Sequence, residues 1–336
     1  MAGADDHNRP TLRDRPGDAR PNPFDQRLAD GETVAGRYRV VRLIGAGAVG
    51  EVYEAQDETV GEAVALKTLR AGVASDSVSI ERFKREIQLA RHVTHRNVCR
   101  TFDVGRHAMP DGTQLAFITM ELLRGPSLAD VLPTRERYST SEALPLAQQM
   151  AAGLDAAHAA GVIHRDFKPG NLMLVPEPGA GARVVITDFG LARRYAVDET
   201  TITVTGEAVG TPLYMAPEQV VTGQKPITPA TDVYALGNVL YEMVTGQLPF
   251  KGNSVTVMAL KRFREAVPAP RLVAPDLDPR WDAAILRCLE RDPALRYQRA
   301  GDVAAALTAD GAPPPAGPAT DGGWKRGFFR RPRQTK

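Results

Sequence analysis

Three glycines at positions 45, 47 and 50 follow the spacing G-x-G-x-x-G within the segment 44–52. Glycine has no Cβ, so the backbone N–H groups of such a segment can approach phosphate oxygens closely. Dinucleotide-binding folds use the same spacing, and a glycine-rich hairpin that binds nothing also contains it. The residues that follow, Glu51-Val-Tyr-Glu-Ala, have a strand pattern, so no helix N-terminus is available for a pyrophosphate. We therefore predict a hairpin that covers the phosphates of a nucleotide.

A lysine lies on the next predicted strand, at the end of Val64-Ala-Leu-Lys67. A buried ammonium group without an anionic partner is costly, so the pattern predicts a bound anion or a carboxylate beside Lys67. Glu86 is the candidate carboxylate, because it lies on an amphipathic helix predicted over 80–90. The alternative for Glu86 is a solvated charge on the surface of that helix.

Three later motifs combine carboxylate side chains with lysine, histidine or asparagine, or with glycine and proline. They are His164-Arg-Asp-Phe-Lys-Pro-Gly-Asn171, Asp188-Phe-Gly190 and Ala216-Pro-Glu218. Together with the glycine segment and Lys67, in this order and spacing, they resemble the signature set of the protein kinases. Over about 270 residues the chain resembles the bacterial, eukaryotic-like serine/threonine protein kinases, with Phe167 where leucine is commoner.

The resemblance implies a role for each polar residue of the transfer site. Asp166 accepts or orients the proton of the acceptor hydroxyl, and Lys168 neutralises the γ-phosphate of ATP. Asn171 and Asp188 hold Mg2+, with Mn2+ as a substitute, because hard cations prefer oxygen ligands. Lys67 binds the α- and β-phosphates.

An apolar run at 115–120 predicts a buried strand that leads into the hinge between two lobes. By the resemblance, the carbonyl of Glu121 and the N–H of Leu123 pair with adenine, and Met120 closes the rear of the pocket. Apolar residues of this kind would pack into a core in any interpretation.

The adenine ring is expected between Val52, Ala65 and either Met173 or Leu174, and the spacing from Asn171 favours Met173. Glu86 orients Lys67 in this scheme. The full set of implied ATP-binding residues is Ile44, Gly45, Ala46, Gly47, Ala48, Val49, Gly50, Glu51, Val52, Ala65, Lys67, Glu86, Met120, Glu121, Leu123 and Met173.

The acceptor class and its regulation also follow from the resemblance. Lys168, with Thr211 ahead of the Ala-Pro-Glu motif, is typical of serine/threonine kinases, and Thr211 shapes the pocket for the residue after the acceptor. Arg165 would clamp a phosphate on the activation loop. We predict autophosphorylation at Thr203, Thr205 or both within that loop, the alternative being an unmodified polar loop.

The implied fold class is α+β, in the bilobal protein-kinase architecture. An N-terminal antiparallel β-sheet lobe carries one helix, and the C-terminal lobe is larger and mainly helical. We divide the chain into a disordered leader at 1–35, an N-terminal lobe and hinge at 36–124, a C-terminal lobe at 125–308, a Pro/Gly linker at 309–323 and a basic aromatic tail at 324–336.

Other polar residues are expected to have structural roles. By the resemblance, Asp232 braces the backbone of the catalytic loop, Arg296 pairs with Glu218 in the interior, and His164 is structural. No carboxylate or metal-type spacing accompanies three further histidines, His92, His95 and His158.

The charge of the chain is unevenly distributed. Its 336 residues carry 42 basic and 40 acidic side chains, for a net charge of +2, but six cations and no acid lie in 324–336, so the remainder nets −4. Aromatic residues among those cations suggest contact with an anionic membrane. The alternatives are a solvated tail or the stub of a longer chain whose spanning helix is missing.

Two cysteines cannot build a disulfide framework, no secretory signal is evident, and no apolar run reaches the roughly 20 residues of a spanning helix. We therefore expect a cytoplasmic protein, with membrane association only through the tail.

Three functions compete at this point. An active kinase would act on proteins with Ser or Thr acceptors, form a homodimer for trans-autophosphorylation, and have no nucleic-acid partner. A pseudokinase scaffold, which would bind ATP or partner proteins without transfer, is disfavoured because the polar set is complete. A small-molecule phosphotransferase is disfavoured by the threonine-bearing segment that ends at Ala216-Pro-Glu218.

Overall fold

The computed structural model describes residues 28–47, 50–69, 91–179, 181–189, 212–220, 225–252 and 255–308. A six-stranded antiparallel sheet forms the N-terminal part, with the strand order β1-β2-β3-β4-β6-β5. Its strands are β1 (Thr33–Val34), β2 (Tyr38–Gly47), β3 (Gly50–Asp57), β4 (Glu62–Leu69), β5 (Thr101–Ala108) and β6 (Gln114–Glu121).

The glycine segment forms the end of the β2–β3 hairpin, where Gly47 pairs with Gly50. A Cβ on Gly50 would lie 1.9 Å from the carbonyl oxygen of Thr68 on β4, so only glycine fits there. Strand β4 then pairs with β6, which places Lys67 opposite Ile118 and Ala65 opposite Met120. This register brings the lysine and the predicted adenine-pocket residues to one end of the sheet.

A hairpin and a set of helices form the C-terminal part. The hairpin consists of β7 (Leu172–Glu177) and β8 (Gly181–Ile186). The helices are α1 (Leu128–Val131), α2 (Thr140–Ala159), α3 (Pro217–Val220), α4 (Pro229–Thr245), α5 (Val255–Arg264), α6 (Pro270–Val273), α7 (Pro279–Cys288) and α8 (Ala300–Thr308).

Helix α4 is the centre of the larger core and is buried along nearly its whole length. Gly246, at φ 71°, ends it in the left-handed conformation that glycine adopts without strain. Ser139 and Glu142 begin α2 with a reciprocal capping box. The capping box sets the start of α2, and Gly246 sets the end of α4. Both helices lie next to the segment 164–171.

The fold class is as predicted, although the helix predicted over 80–90 lies outside the described residues. One boundary differs from the prediction, because residues 28–35, assigned to the leader, are folded. Leu28 is fully buried and β1 pairs with β2, since the segment supplies apolar side chains to the sheet core. Among the described residues, no helix has the length and apolarity needed to cross a membrane.

Candidate functional site

The segment 164–171 brings three polar side chains to one point. Lys168 Nζ donates a hydrogen bond to Oδ2 of Asp166 at 2.7 Å. The side-chain amide of Asn171 donates to the carbonyl of Asp166 at 2.8 Å and to its Oδ2 at 3.2 Å. Both Asp166 and Lys168 remain partly exposed, so the carboxylate is oriented by its own loop and still open to a substrate.

Asp232 on α4 fixes the backbone of this loop, as the sequence predicted. Its two carboxylate oxygens accept the backbone N–H groups of His164, at 2.7 Å, and of Arg165, at 2.8 Å. Arg165 has φ 65°, a conformation that costs energy for a residue with a Cβ and that these contacts maintain. The buried ring of His164 is 2.8 Å from the carbonyl of Thr187 and has a structural position.

His158, expected from the sequence to be structural, has a carboxylate partner that its sequence spacing did not indicate. Its Nε2 lies 2.8 Å from Oδ2 of Asp232, and both side chains are buried. Helix α2 runs beside α4, so His158 in the last turn of α2 contacts Asp232 in the first turn of α4. The two residues are 74 positions apart in sequence. Spacing along the chain contains no signal for such a contact.

Lys67 pairs across the cleft with Asp188, where Nζ and Oδ1 are 2.5 Å apart. Burial alone would raise the pKa of Asp188, but the ammonium of Lys67 outweighs it and holds the pKa below its ordinary value. Asp188 has φ 60°, and the N–H of the preceding Thr187 donates to the carbonyl of Asn171 at 2.9 Å. The ion pair links Asp188 to Lys67, and the hydrogen bond of the neighbouring Thr187 links it to the loop at Asn171. Glu86, the other predicted partner of Lys67, lies outside the described residues.

An apolar cluster lines the cleft beside these charges. Its buried members are Ala65, Cys99, Met120 and Val185, with Val52, Leu122, Leu123, Met173 and Val175 packed against them. The alternation of β7 separates the two candidates of the sequence prediction. Met173 packs in this cluster, whereas Leu174 packs in the core of the helical part.

The hinge is held by a network that sequence reasoning missed. Arg183 on β8 donates to the Glu121 carboxylate at 3.1 Å and to the carbonyl of Arg96 at 2.7 Å. Glu177 pairs with Arg96 at 2.7 Å and lies 3.4 Å from Arg183. Charged residues on the two arms of a hairpin beside its turn are ordinary in sequence, so no pattern marked this network.

The remaining predicted site residues are distributed as follows. Ile44, Gly45, Ala46 and Gly47 lie on β2, and Gly50, Glu51 and Val52 lie on β3, on the two arms of the hairpin. Ala48, Val49, Thr203, Thr205 and Thr211 fall outside the described residues, so their predicted roles stay predictions.

The segment 212–216 lies next to the catalytic loop. Gln219 donates to the carbonyl of Arg165 at 2.7 Å, which joins the end of the segment to the residue before Asp166. Tyr214 donates to the Glu242 carboxylate at 2.5 Å. Burial raises the pKa of Glu242 and also that of the Tyr214 phenol. These contacts fix the segment against the catalytic loop and against α4.

The predicted ion pair between Glu218 and Arg296 is present and buried. The guanidinium donates to the two carboxylate oxygens at 2.8 and 2.9 Å. Both side chains are at most 1% exposed, and Thr231 also donates to Glu218. This pair joins Ala216-Pro-Glu218 to the segment before α8.

Comparisons with known proteins agree with this geometry. The family model for the protein kinase domain matches residues 38–305. Serine/threonine-protein kinase PknA of Mycobacterium tuberculosis is 40% identical over 287 residues, which cover 84% of this chain and 64% of that protein. Serine/threonine-protein kinase PrkC of Bacillus subtilis is 34% identical over 275 residues, which cover 82% of this chain and 40% of that protein. The chain therefore spans less than two thirds of the length of either relative.

A solved structure is similar as well. The crystal structure of the Mycobacterium tuberculosis PknI kinase domain matches with a TM-score of 0.65 at 29% identity, over 83% of this chain and 98% of that one.

Proposed function

This chain belongs to the protein kinase family, and we propose that it is an ATP- and Mg2+-dependent serine/threonine protein kinase. The family model covers most of the chain, and similar proteins from two bacterial genera are named serine/threonine-protein kinases. The family predicted from the motifs is thereby confirmed. Membership implies ATP, a divalent cation and protein substrates.

The apolar cluster of the cleft supports an adenine site. In our proposal, Val52 and Ala65 cover one face of the ring and Met173 the other, because all three pack in that cluster. The Glu121 carbonyl and the Leu123 N–H pair with the edge of the ring.

The oxygen donors beside this pocket fit a hard cation. Asn171 donates its amide N–H groups to Asp166, which leaves its amide oxygen for a ligand, and Asp188 is held ionised by Lys67. We assign these two residues to Mg2+, with Mn2+ as a substitute. A bound cation supplies charge neutralisation along the phosphates.

Transfer needs an oriented hydroxyl and stabilised charge. The Ser or Thr oxygen forms a bond to the γ-phosphorus, the bond from that phosphorus to the β–γ bridging oxygen breaks, and ADP leaves. Asp166 receives the hydroxyl proton, and Lys168 stabilises charge on the transferred group. Lys67 binds the α- and β-phosphates from its position beside Asp188, with which it forms an ion pair.

Activation is proposed to require phosphate on the loop 191–209. Thr203 and Thr205 are the acceptors, and Arg165 clamps the phosphate. A homodimer would allow one copy to phosphorylate the other. Thr211 would contact Asp166 and Lys168 and shape the pocket after the acceptor residue.

The observation that carries the proposal is the convergence of Lys168 and Asn171 on the Asp166 carboxylate. The purified chain should transfer phosphate from ATP to a generic protein acceptor when Mg2+ is present and should stop when EDTA is added. Asp166→Asn should reduce that rate at least 100-fold. ATP binding without transfer by the wild type would instead indicate a pseudokinase scaffold, and transfer only to small alcohols would indicate a small-molecule phosphotransferase.

We also propose a cytoplasmic location, with anionic membrane contact through residues 324–336. The support is the charge of that segment, six cations without an acid. We propose no nucleic-acid partner.

A further inference from the structure

Arg262 on α5 grips the backbone of the segment beside the catalytic loop. Its Nη2 donates to the carbonyl of Leu213 at 3.0 Å, and its Nη1 donates to the carbonyl of Met215. Between these, the carbonyl of Tyr214 lies 3.5 Å from the side-chain amide of Asn238. Three successive carbonyls are therefore bound by side chains from two helices, so the path of this backbone is set from outside the segment.

The same segment is tied to the transfer site at its other end. Gln219 donates to the carbonyl of Arg165, and Asp232 holds the N–H of Arg165. Under the proposed kinase function, residues that flank an acceptor hydroxyl at Asp166 would run along 212–216, because Gln219 joins the end of this segment to Arg165. The position of Leu213–Met215 determines how those flanking residues fit.

Burial of the Arg262 guanidinium is energetically unfavourable, because a charged group loses its hydration there. Its side chain is 3% exposed, and within the described part of the chain no carboxylate forms an ion pair with it. Burial lowers the pKa of its guanidinium, since carbonyl dipoles offset the charge only in part. The guanidinium is buried for the sake of these carbonyls, and its removal would leave the acceptors of Leu213 and Met215 without those donors.

The C-terminal end of helix α5 is held by hydrogen bonds from Arg291. Arg291 donates through Nε to the carbonyl of Arg262 at 3.1 Å and through Nη2 to the carbonyl of Glu265. The neighbouring Arg264 is exposed and lies two positions away on the same helix. It therefore provides a matched control of identical chemistry on the opposite side.

We propose that Arg262 is a positioning residue that sets the affinity for the protein acceptor by holding the carbonyls of Leu213 and Met215. The inference rests on the proposed kinase function. It assigns Arg262 no contact with ATP, so it separates acceptor binding from nucleotide binding.

The test compares Arg262→Met, Arg262→Lys and the control Arg264→Met in the full chain. Steady-state kinetics with a threonine-containing peptide should show an acceptor kcat/KM at least tenfold lower for Arg262→Met, with the KM for ATP within twofold of the wild type. Arg262→Lys should recover part of the loss, and Arg264→Met should match the wild type. The melting temperature of each variant is measured in parallel, and a small decrease is expected for Arg262→Met because two carbonyls lose their donors.

Hydrogen–deuterium exchange provides a readout that does not depend on activity. Amides of 213–220 should exchange at least tenfold faster in Arg262→Met than in Arg264→Met, while amides of 164–171 stay the same. Unchanged exchange, equal acceptor kcat/KM in the two methionine variants, or a parallel loss of ATP and acceptor parameters with a lower melting temperature would overturn the inference. A wild type that transfers no phosphate but shows the exchange difference would contradict the proposed function and leave the positioning role supported.

Discussion

In the proposed nucleotide site, Lys67 is the charge that we expect to matter most. Its ammonium group lies almost fully buried at the end of the sheet, and its described partner is Asp188 on the other side of the cleft. Strand β4 places it there because Lys67 alternates with residues that face the sheet core. In the proposed site, Lys67 would therefore bind phosphate, and the same ammonium group holds the pKa of the Asp188 carboxyl below its ordinary value.

Replacing Lys67 by Met should remove both effects. We expect the rate of phosphate transfer to fall by about 100-fold or more, the loss typical when one preorganised donor to developing charge is removed. Initial rates with labelled ATP and a protein acceptor would measure it. Lys225→Met is the control, because Lys225 is an exposed lysine that pairs with Asp292, and loss of activity in that variant alone would contradict the role of Lys67.

Motif residues could be predicted one by one where their partners are close in sequence. The contacts of Asp166 with Lys168 and Asn171 span only a few residues, and strand alternation separates Met173 from Leu174. Contacts such as that of His158 with Asp232 could not be predicted, since the tertiary packing of two helices creates them.

At the scale of elements, the Glu218–Arg296 pair joins helix α3 to the segment before α8. Both groups are withdrawn from water, so each requires the other. Arg296 also donates to the carbonyls of Ala230 and Glu290, which extends the joint to α4.

Arg296→Met should lower the free energy of unfolding by about 3–5 kcal/mol, because an uncompensated carboxylate stays buried. Chemical denaturation would measure the loss. The exposed Arg299, which pairs with Asp155, provides the control Arg299→Met, for which we expect a change of at most about 1 kcal/mol. A loss for Arg296→Met no larger than that of the control would contradict a buried joint.

The sheet carries a second ion pair whose effect depends on pH. Arg37, in the β1–β2 turn, donates two hydrogen bonds to the nearly buried carboxylate of Asp57, and this holds the pKa of Asp57 below its ordinary value of 3.8. The unfolded chain then binds a proton more readily, so stability is present above about pH 4 and is lost as the pH falls through the folded pKa.

Asp57→Asn should therefore be less stable than the wild type at pH 7 and should lose less stability between pH 5 and pH 3. Urea denaturation at several pH values would show this difference. Parallel pH profiles for the two proteins would contradict the contribution of the pair.

The elements themselves were largely predictable, because hydrophobic periodicity marks the strands and the long helices α2, α4 and α7. The folded state of residues 28–35 could not be predicted, because a two-residue strand and one buried leucine are too short to form a hydrophobic pattern.

In the whole molecule, the small net charge is the sum of two segments of opposite charge. The chain carries +2, but the last 13 residues carry six cations, and the rest nets −4. Each cation near an anionic surface contributes roughly 1 kcal/mol, so the tail could hold an otherwise acidic protein at a membrane.

Deletion of 324–336 should abolish co-sedimentation with phosphatidylserine-containing vesicles at low salt, while the wild type binds and releases as salt is raised. Vesicles of phosphatidylcholine alone control for non-electrostatic binding. Equal binding of the full and truncated chains would contradict the membrane role of the tail.

Phosphopeptide mapping tests the proposed kinase activity most directly, after the purified chain is incubated with ATP and Mg2+ and Asp166→Asn is treated in parallel. We expect phosphate on Thr203, Thr205 or both in the wild type and at least 100-fold less in the variant. No phosphate in the wild type, phosphate only outside 191–211, or equal phosphate in the variant would contradict this expectation.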